Sequence, residues 1–260
     1  MEKTPYLRED ETIVQHESGG ENPFEKEYSD FVDLAVHDLD APLRKLSLLV
    51  GMLTNKVSAD KEQQLYVERI GSCIDDMRSL IDDLYVLGKL NAVKPEFKSC
   101  NIDTIVQEAL QELPVAVKEK KAVITTLSLP VIEADPKMLD LLFKNLLENA
   151  IKFSKKDQAP GVQIDSTTLS AEEKNELDLK DNLLYYKIEI TDNGVGFKNE
   201  NAKKIFHPFV RLHGKSQFAG NGIGLAICSK IADIHHGTIY AEGRENAGAR
   251  FILILPESQP

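Results

Sequence analysis

Asn145, Asn149 and Lys152 stand at i, i+4 and i+7 in "NLLENAIKF". On a helix that spacing puts two carboxamides and an ammonium on one face. Magnesium keeps several waters and takes few protein oxygens, so such a face suits a hydrated magnesium beside phosphate oxygens. A polar face without a ligand satisfies the same spacing. Further on, "DNGVGF" (residues 192–197) follows a strand-like run. Asp192 could accept a hydrogen bond from an exocyclic amine such as that of adenine, and Gly194 and Gly196 would let a backbone approach where side chains would block it. An ordinary Asp-Asn-Gly turn has the same composition. In "IFHPFVRLHG" (205–214), Phe206 and Phe209 read as anchors of a polar loop that leaves Arg211 to reach a phosphate. Two core phenylalanines and a surface arginine would look alike. "GNGIGLA" (220–226) opens a helix, where free amides and the helix dipole favour an anion. A dinucleotide fold would need such glycines after the first strand of a βαβ unit, and here they come late, after a polar loop.

A fifth group lies far upstream. His37 and Asp38 open "HDLDAPL" inside a long helical pattern. Val32, Val36, Leu39, Leu43, Leu46, Val50, Leu53 and Val57 recur at alternating spacings of 4 and 3, and so do Tyr66, Ile70, Cys73, Met77, Leu80, Leu84 and Leu87. These are two heptad stripes joined by a short polar turn, hence an antiparallel helical hairpin. Ala35, Leu49, Val67, Ile74 and Ile81 widen the stripes. A lone hairpin cannot cover so much apolar surface, and pairing two hairpins into a four-helix bundle would. The register puts Val36 at a and Leu39 at d, so His37 falls at b, facing solvent. An idle surface histidine fits that position too. Pro42, one turn on, removes a helical hydrogen bond and predicts a local kink.

The helices and strands that must position the second-half groups are legible in outline. Pro95 marks a hinge after the heptads. "NIDTIVQEALQEL" reads as a helix, "AVITTLSL" as a strand, and Asp135 with Pro136 caps and opens the helix bearing the asparagines. The strands "GVQIDSTTL" and "LLYYKIEIT" flank an acidic insert, "SAEEKNELDLKDN". A helix, "GIGLAICSKIADIHH", is stopped by Gly237, and a hairpin, "TIYAEG" to "ARFILIL", closes the chain. The fold class expected is an α-helical hairpin, a four-helix bundle as a dimer, followed by an α+β two-layer sandwich. The expected division is a flexible lead-in over 1–27, the hairpin over 28–92 and the α+β domain over 93–260.

Composition narrows the classes. The chain has 260 residues, is 42% hydrophobic and carries a net charge of -11, which makes nucleic acid a poor partner. No apolar run approaches the ~20 residues of a membrane-spanning helix, and "MEKTPYLRED" lacks the apolar stretch of a signal peptide. Three scattered cysteines, Cys73, Cys100 and Cys228, fit buried reduced thiols of a cytoplasmic protein.

Taken in order, these groups resemble the sensor histidine kinases of two-component signalling across residues 28–256. The matches are an H box, "HDLDAPL"; an N box, "NLLENAIKF"; a G1 box, "DNGVGF"; an F box, "FHPF"; and a G2 box, "GNGIGLA". "HDL-APLRKL" with "FVRLHG" is most similar to the phytochrome-like and PAS-linked branch. The resemblance implies a histidine kinase/Hsp90-like ATP-binding domain, with ATP and Mg2+ bound, a homodimer through the hairpin and a response-regulator receiver domain as partner. It implies that His37 accepts the γ-phosphoryl group of ATP and that Asp38 takes the proton of the other ring nitrogen. It further implies Asn149 as the magnesium ligand, Asn145 and Lys152 at the phosphates, Phe153 lining the adenine pocket, Asp192 on the adenine amine and Gly194 and Gly196 shaping that pocket. Arg211 would steady the γ-phosphate, and Gly222, Gly224 and Leu225 would offer backbone amides, with residues 198–221 as a mobile lid.

The chain departs from the family pattern at a few positions. His207 replaces an acidic residue, His236 a glycine, and Asn221 a threonine or serine. His16, His213 and His235 read as surface residues. Rival readings are an ATPase of the same superfold, an anti-sigma-type serine kinase and a dimeric scaffold with a decayed nucleotide pocket. Asn145 stands where the ATPases keep a catalytic carboxylate, and the serine kinases lack the histidine-bearing hairpin. Ala41 occupies a position, four residues after the histidine, where relatives use Thr or Asn to dephosphorylate the regulator. Alanine cannot orient a water, so phospho-regulator should decay no faster with this protein and ADP than without them, as a phosphate-release assay would measure.

Overall fold

The computed structural model describes residues 23–54, 61–90, 92–180, 182–214, 217–218 and 220–260. The side chains of 23–35, 37–38, 41, 61–62 and 114–116 lie outside what it describes, as do residues 1–22 and the hairpin turn. His16, Val57 and the side chain of Val32 therefore fall outside it. The described chain forms two compact units, Pro95–Asn199 with Ile231–Pro260, and Pro23–Lys94 with Glu200–Lys230.

The first unit is built on a five-stranded sheet of order β2-β4-β5-β7-β6. Its strands are β2 (Val123–Thr126), β4 (Gly161–Thr168), β5 (Tyr185–Asp192), β6 (Thr238–Arg244) and β7 (Gly248–Pro256). β2 runs parallel to β4 and the other neighbours are antiparallel. Alternation along β5 buries Ile188 and Ile190 while Lys187 and Glu189 reach outward. β7 is buried along nearly its whole length, as a strand covered on both faces must be.

One face carries α3 (Ile102–Gln111) packed on α5 (Pro136–Lys152). Ile102, Ile105, Val106 and Ala109 of α3 are buried, as are Leu139, Leu142, Phe143, Leu146, Leu147 and Ile151 of α5. The other face is covered by the segment read as an acidic insert. There Ser170 and Glu173 form a reciprocal capping box that starts a short helix, α6 (Ala171–Glu176). Leu177, Leu179 and Leu183 then pack with Leu169, Tyr185, Ile252 and Ile254. Glu172, Glu176, Asp178 and Lys180 of the insert are exposed, and its leucines do the covering. Two features had no strong sequence signal. β1 (Lys98–Asn101) pairs with β3 (Val131–Ala134) in a separate two-stranded sheet, and α4 (Pro114–Lys120) follows α3.

The second unit contains α1 (Pro23–Thr54) and α2 (Lys61–Lys89). α1 starts inside the segment read as lead-in, because proline suits a first helical position where no N–H is needed. It continues through Pro42, which has no N–H to give the Asp38 carbonyl. The seam between the helices is made by Leu43, Ile74 and Ile81, flanked by Val36 and Val50. Val50, late in α1, meets Gly71, early in α2, as antiparallel neighbours do. Only part of the α1 stripe faces this seam. Leu39, Leu46 and Leu53 at d positions, and Tyr66, Ile70 and Met77 on α2, remain exposed. In α2 the seam is thus made by Ile74 and Ile81, which read as the margin of the stripe. Cys73 is exposed as well, in contrast to buried Cys100 and Cys228. The remaining helix, α7 (Gly224–Ile234), begins in the second unit and ends in the first.

Leu142 is fully buried in the centre of α5, so truncating its side chain would leave a cavity in the core. Leu142→Ala should lower unfolding free energy by about 2–5 kcal/mol, measured by urea denaturation.

Candidate functional site

In the first unit, helix α5 carries the N-box residues. Asp135 caps it: its Oδ1 accepts from the Lys137 and Met138 amides at 3.0 and 3.2 Å. Pro136 follows at the first position. Its apolar side is wholly buried, which leaves Asn145, Asn149 and Lys152 half-buried along one face. The Asn145 amide nitrogen donates one N–H to the Leu141 carbonyl at 2.9 Å, which leaves its second N–H as the donor for an oxygen of a ligand. Lys152 holds its ammonium 4.9 Å from the centre of the Phe153 ring, a cation–π contact at the end of the helix.

The C-terminal end of α5 is fastened by a residue that sequence reasoning missed. Lys120, at the end of α4, donates from Nζ to the carbonyls of Ile151 and Lys152 at 2.8 and 3.0 Å and to Ser154 Oγ at 3.1 Å. A cation there answers carbonyls that the helix cannot pair and opposes its negative end. Nothing local marks Lys120, because its partners are some thirty positions away in the chain.

The G1 loop is joined to the same end. The Val195 amide donates to the Phe153 carbonyl at 2.9 Å, and the Asn246 amide donates to the Val195 carbonyl at 2.7 Å. Asp192 Oδ1 accepts from the Gly194 and Ala249 amides at 2.8 and 3.2 Å. That leaves Oδ2 as the oxygen available to an amine. Burial pushes the Asp192 carboxyl up from its ordinary value, and the two amides oppose the shift. The glycines have a reason inside the protein itself. A Cβ at Gly194 would sit 2.5 Å from the Phe153 carbonyl oxygen. Gly196 has φ +60° and lies against the carbonyls of Arg244 and Gly248, where a side chain would overlap them. They let the loop close on α5 and on the β6–β7 turn.

The F and G2 boxes lie in the second unit. Ala202 and Ile205 are the buried anchors of the F-box segment. Phe206 is half-buried and Phe209 is exposed, with φ +65°. The expectation that both phenylalanines anchor the loop is therefore corrected, since the backbone at Phe209 turns its ring outward. The Phe209 amide donates to the Gly222 carbonyl at 2.9 Å, tying the F box to the G2 box. Arg211 donates from Nη2 to the Phe218 carbonyl at 2.8 Å, and Asn221 donates to Ser79 Oγ and Asp83 Oδ2 of α2, each at 3.0 Å. Gly222, Gly224 and Leu225 are half-buried at the start of α7, above buried Ile223, Ala226 and Ile227.

His37, Asp38 and Ala41 lie on α1, and their side chains are outside the described residues. His213 is half-buried, edge-on to Phe218 at 5.4 Å between ring centroids. His235, read as a surface residue, is fully buried, because it falls on the inner face of the end of α7. His236, not Gly237, takes the left-handed conformation after that helix, with φ +53°.

The donors fit a magnesium–nucleotide complex better than a bare metal. Among the described residues no three His, Cys, Asp or Glu side chains group as metal ligands. Asn149 offers one neutral oxygen, which suits an ion that keeps its waters and takes the rest of its shell from phosphates.

Comparisons with known proteins give two family matches along the chain. The family model for "Histidine kinase-, DNA gyrase B-, and HSP90-like ATPase" matches residues 134–259, and that for "His Kinase A (phospho-acceptor) domain" matches residues 27–93. The chain is 30% identical over 232 residues to cyanobacterial phytochrome A of Nostoc sp., covering 88% of this chain and 28% of that protein. It is 29% identical over 228 residues to phytochrome-like protein Cph1 of Synechocystis sp., covering 87% and 29%. The chain thus spans less than a third of these relatives. Full-length ShkA in complex with AMPPNP shares the fold at TM-score 0.65 and 22% identity, over 89% of this chain and 46% of that one. Histidine kinase ThkA in complex with response regulator protein TrrA does so at TM-score 0.57 and 20% identity, over 90% and 64%. No helix among the described residues is long and apolar enough to cross a membrane.

Gly196→Ala should destabilise the first unit by more than about 2 kcal/mol, since strain at positive φ adds to a backbone clash. Lys120→Met should cost about 1 kcal/mol by losing the helix-end cation. Thermal unfolding would rank the two in that order.

Proposed function

The chain belongs to the sensor histidine kinase family, and on that premise we propose that it phosphorylates itself on His37 from ATP and passes the phosphoryl group to an aspartate of a response-regulator receiver domain. The observation that carries the reading is the join between the G1 loop and α5. Val195 bonds to the Phe153 carbonyl, and the Asp192 carboxylate is fixed by two amides beside a helix face bearing Asn145, Asn149 and Lys152. That arrangement suits the two ends of a nucleotide, an amine-bearing base and a chain of phosphates.

Asp192 Oδ2 accepts from the adenine amine, and Phe153 lines the base. Asn145 and Lys152 bind phosphate oxygens. Asn149 would hold Mg2+, which neutralises charge on the phosphates when bound. Arg211, once it leaves the Phe218 carbonyl, reaches the γ-phosphate, and Gly222, Gly224 and Leu225 offer amides at the start of α7. Residues 198–221 act as the lid. A neutral His37 ring nitrogen forms a bond to the γ-phosphorus as the bond to the bridging oxygen breaks, and ADP leaves with that electron pair. Asp38 takes the proton of the other ring nitrogen.

The hairpin over 28–92 serves dimerisation and phosphotransfer, and 93–260 binds ATP. The exposed d-position leucines of α1, with Tyr66, Ile70 and Met77, support a second copy as the partner that covers them. ThkA is solved with a response regulator, which supports the same class of partner for this chain. The cytoplasm is the compartment where ATP and such regulators meet. A superfold ATPase or a decayed scaffold would leave His37 unmodified. Labelled ATP with magnesium should put acid-labile, base-stable phosphate on the wild-type protein and none on His37→Gln. Label that persists in the variant, or none on either protein, would refute the assignment.

A further inference from the structure

His235 is a fully buried imidazole with no part in the proposed phosphoryl transfer. Its two ring nitrogens have opposite duties. Nε2 accepts from the Asp135 amide at 3.0 Å. Nδ1 lies 2.8 Å from the Ile231 carbonyl, which can only accept, so Nδ1 carries the hydrogen. The ring is therefore neutral and in one tautomer.

Asp135 continues the chain of contacts. Its Oδ1 caps α5 through Lys137 and Met138, while its Oδ2 accepts from the Glu96 amide at 2.8 Å. Phe97 lays its ring edge-on to His235, with centroids 5.4 Å apart. Glu96 and Phe97 belong to the stretch that leads from α2 to β1. One buried imidazole and one buried carboxylate thus join three pieces of chain: that stretch, the first turn of α5 and the last turn of α7.

We propose that His235 is a positioning residue: as a neutral ring it fastens Glu96 and Phe97 to the capped start of α5, and so sets the frame of the face bearing Asn145, Asn149 and Lys152. The effect on nucleotide rests on the function proposed above, while the clasp itself does not. The charged and titratable groups near the ring are few. Burial, with His236, opposes a proton on it and outweighs the Ile231 carbonyl and Asp135, which favour one, so its pKa lies below the ordinary 6.5. Glu96 approaches through its backbone with an exposed side chain, Phe97 is uncharged, and Lys137 contributes its amide while its side chain is exposed. A protonated Nε2 cannot accept from Asp135. Since the opened clasp takes up a proton more readily than the closed one, closure is complete above about pH 7.5 and weakens as pH falls through the mid-sixes.

The test uses the whole chain with the non-hydrolysable analogue AMPPNP. Amide exchange, expressed as protection factors, and calorimetric affinity would be followed from pH 7.5 to 5.5. In wild type, protection at Glu96 and Asp135 should fall by up to about tenfold, with a parallel loss of affinity. His235→Gln can still accept and donate, so at pH 7.5 it should stay within twofold of wild type and lose most of that pH dependence. Asp135→Asn keeps an oxygen for the cap but presents a donor to Glu96. It should lose tenfold or more of the protection at Glu96 and keep that at Lys137 and Met138. The same pH response in wild type and His235→Gln, or an unchanged Glu96 in Asp135→Asn, would overturn the proposal. Normal exchange results with no AMPPNP binding would instead count against the kinase reading.

Discussion

Helix α5 is held at both ends by groups remote in sequence, and the candidate site depends on that. At its start Asp135 satisfies two free amides and is itself held by His235 and Glu96. At its end Lys120 answers the last carbonyls. Between them one side is buried against α3 and the sheet. A helix pinned in this way cannot rotate or slide. Its remaining polar side therefore points in one direction, which two carboxamides and an ammonium need if they are to meet a fixed row of oxygens.

The loop at Asp192 answers to the same helix. Its glycines are tightly constrained because the loop lies on the Phe153 carbonyl and the β6–β7 turn, with no volume left for a side chain. The base recognition proposed for Asp192 would rest on that closure. One carboxylate oxygen is consumed in holding the loop, and the other is left to accept from a ligand. The burial that raises its pKa also strengthens any hydrogen bond it makes to a ligand.

In the helical unit the constraint is simple shortage of partners. Two helices offer each other one seam, and Leu43, Ile74 and Ile81 fill it. Among the described residues, the alternate leucines of α1 remain exposed. Surface of that kind suits the paired hairpins proposed above, whose heptads continue beyond the residues that fill the inner seam.

Sequence by itself determined the parts whose physics is local. The heptad spacing specified two helices, Asp135-Pro136 marked the start of α5, alternation marked β5, and the ordered boxes named the family. Local rules also found the asparagine face, because i, i+4 and i+7 meet on any helix. What they could not supply is partnership across distance. Lys120 is an ordinary lysine until the chain folds it onto Ile151, and His235 looks like a surface histidine until α7 turns it inward onto Asp135. The short β1–β3 pair and the leucines of the insert likewise gain meaning only from what they cover. The choice among heptad residues for the inner seam, and the outward turn of Phe209, were decided there too. Burial and hydrogen-bond satisfaction are properties of neighbours in space, and those are settled only when the whole fold closes.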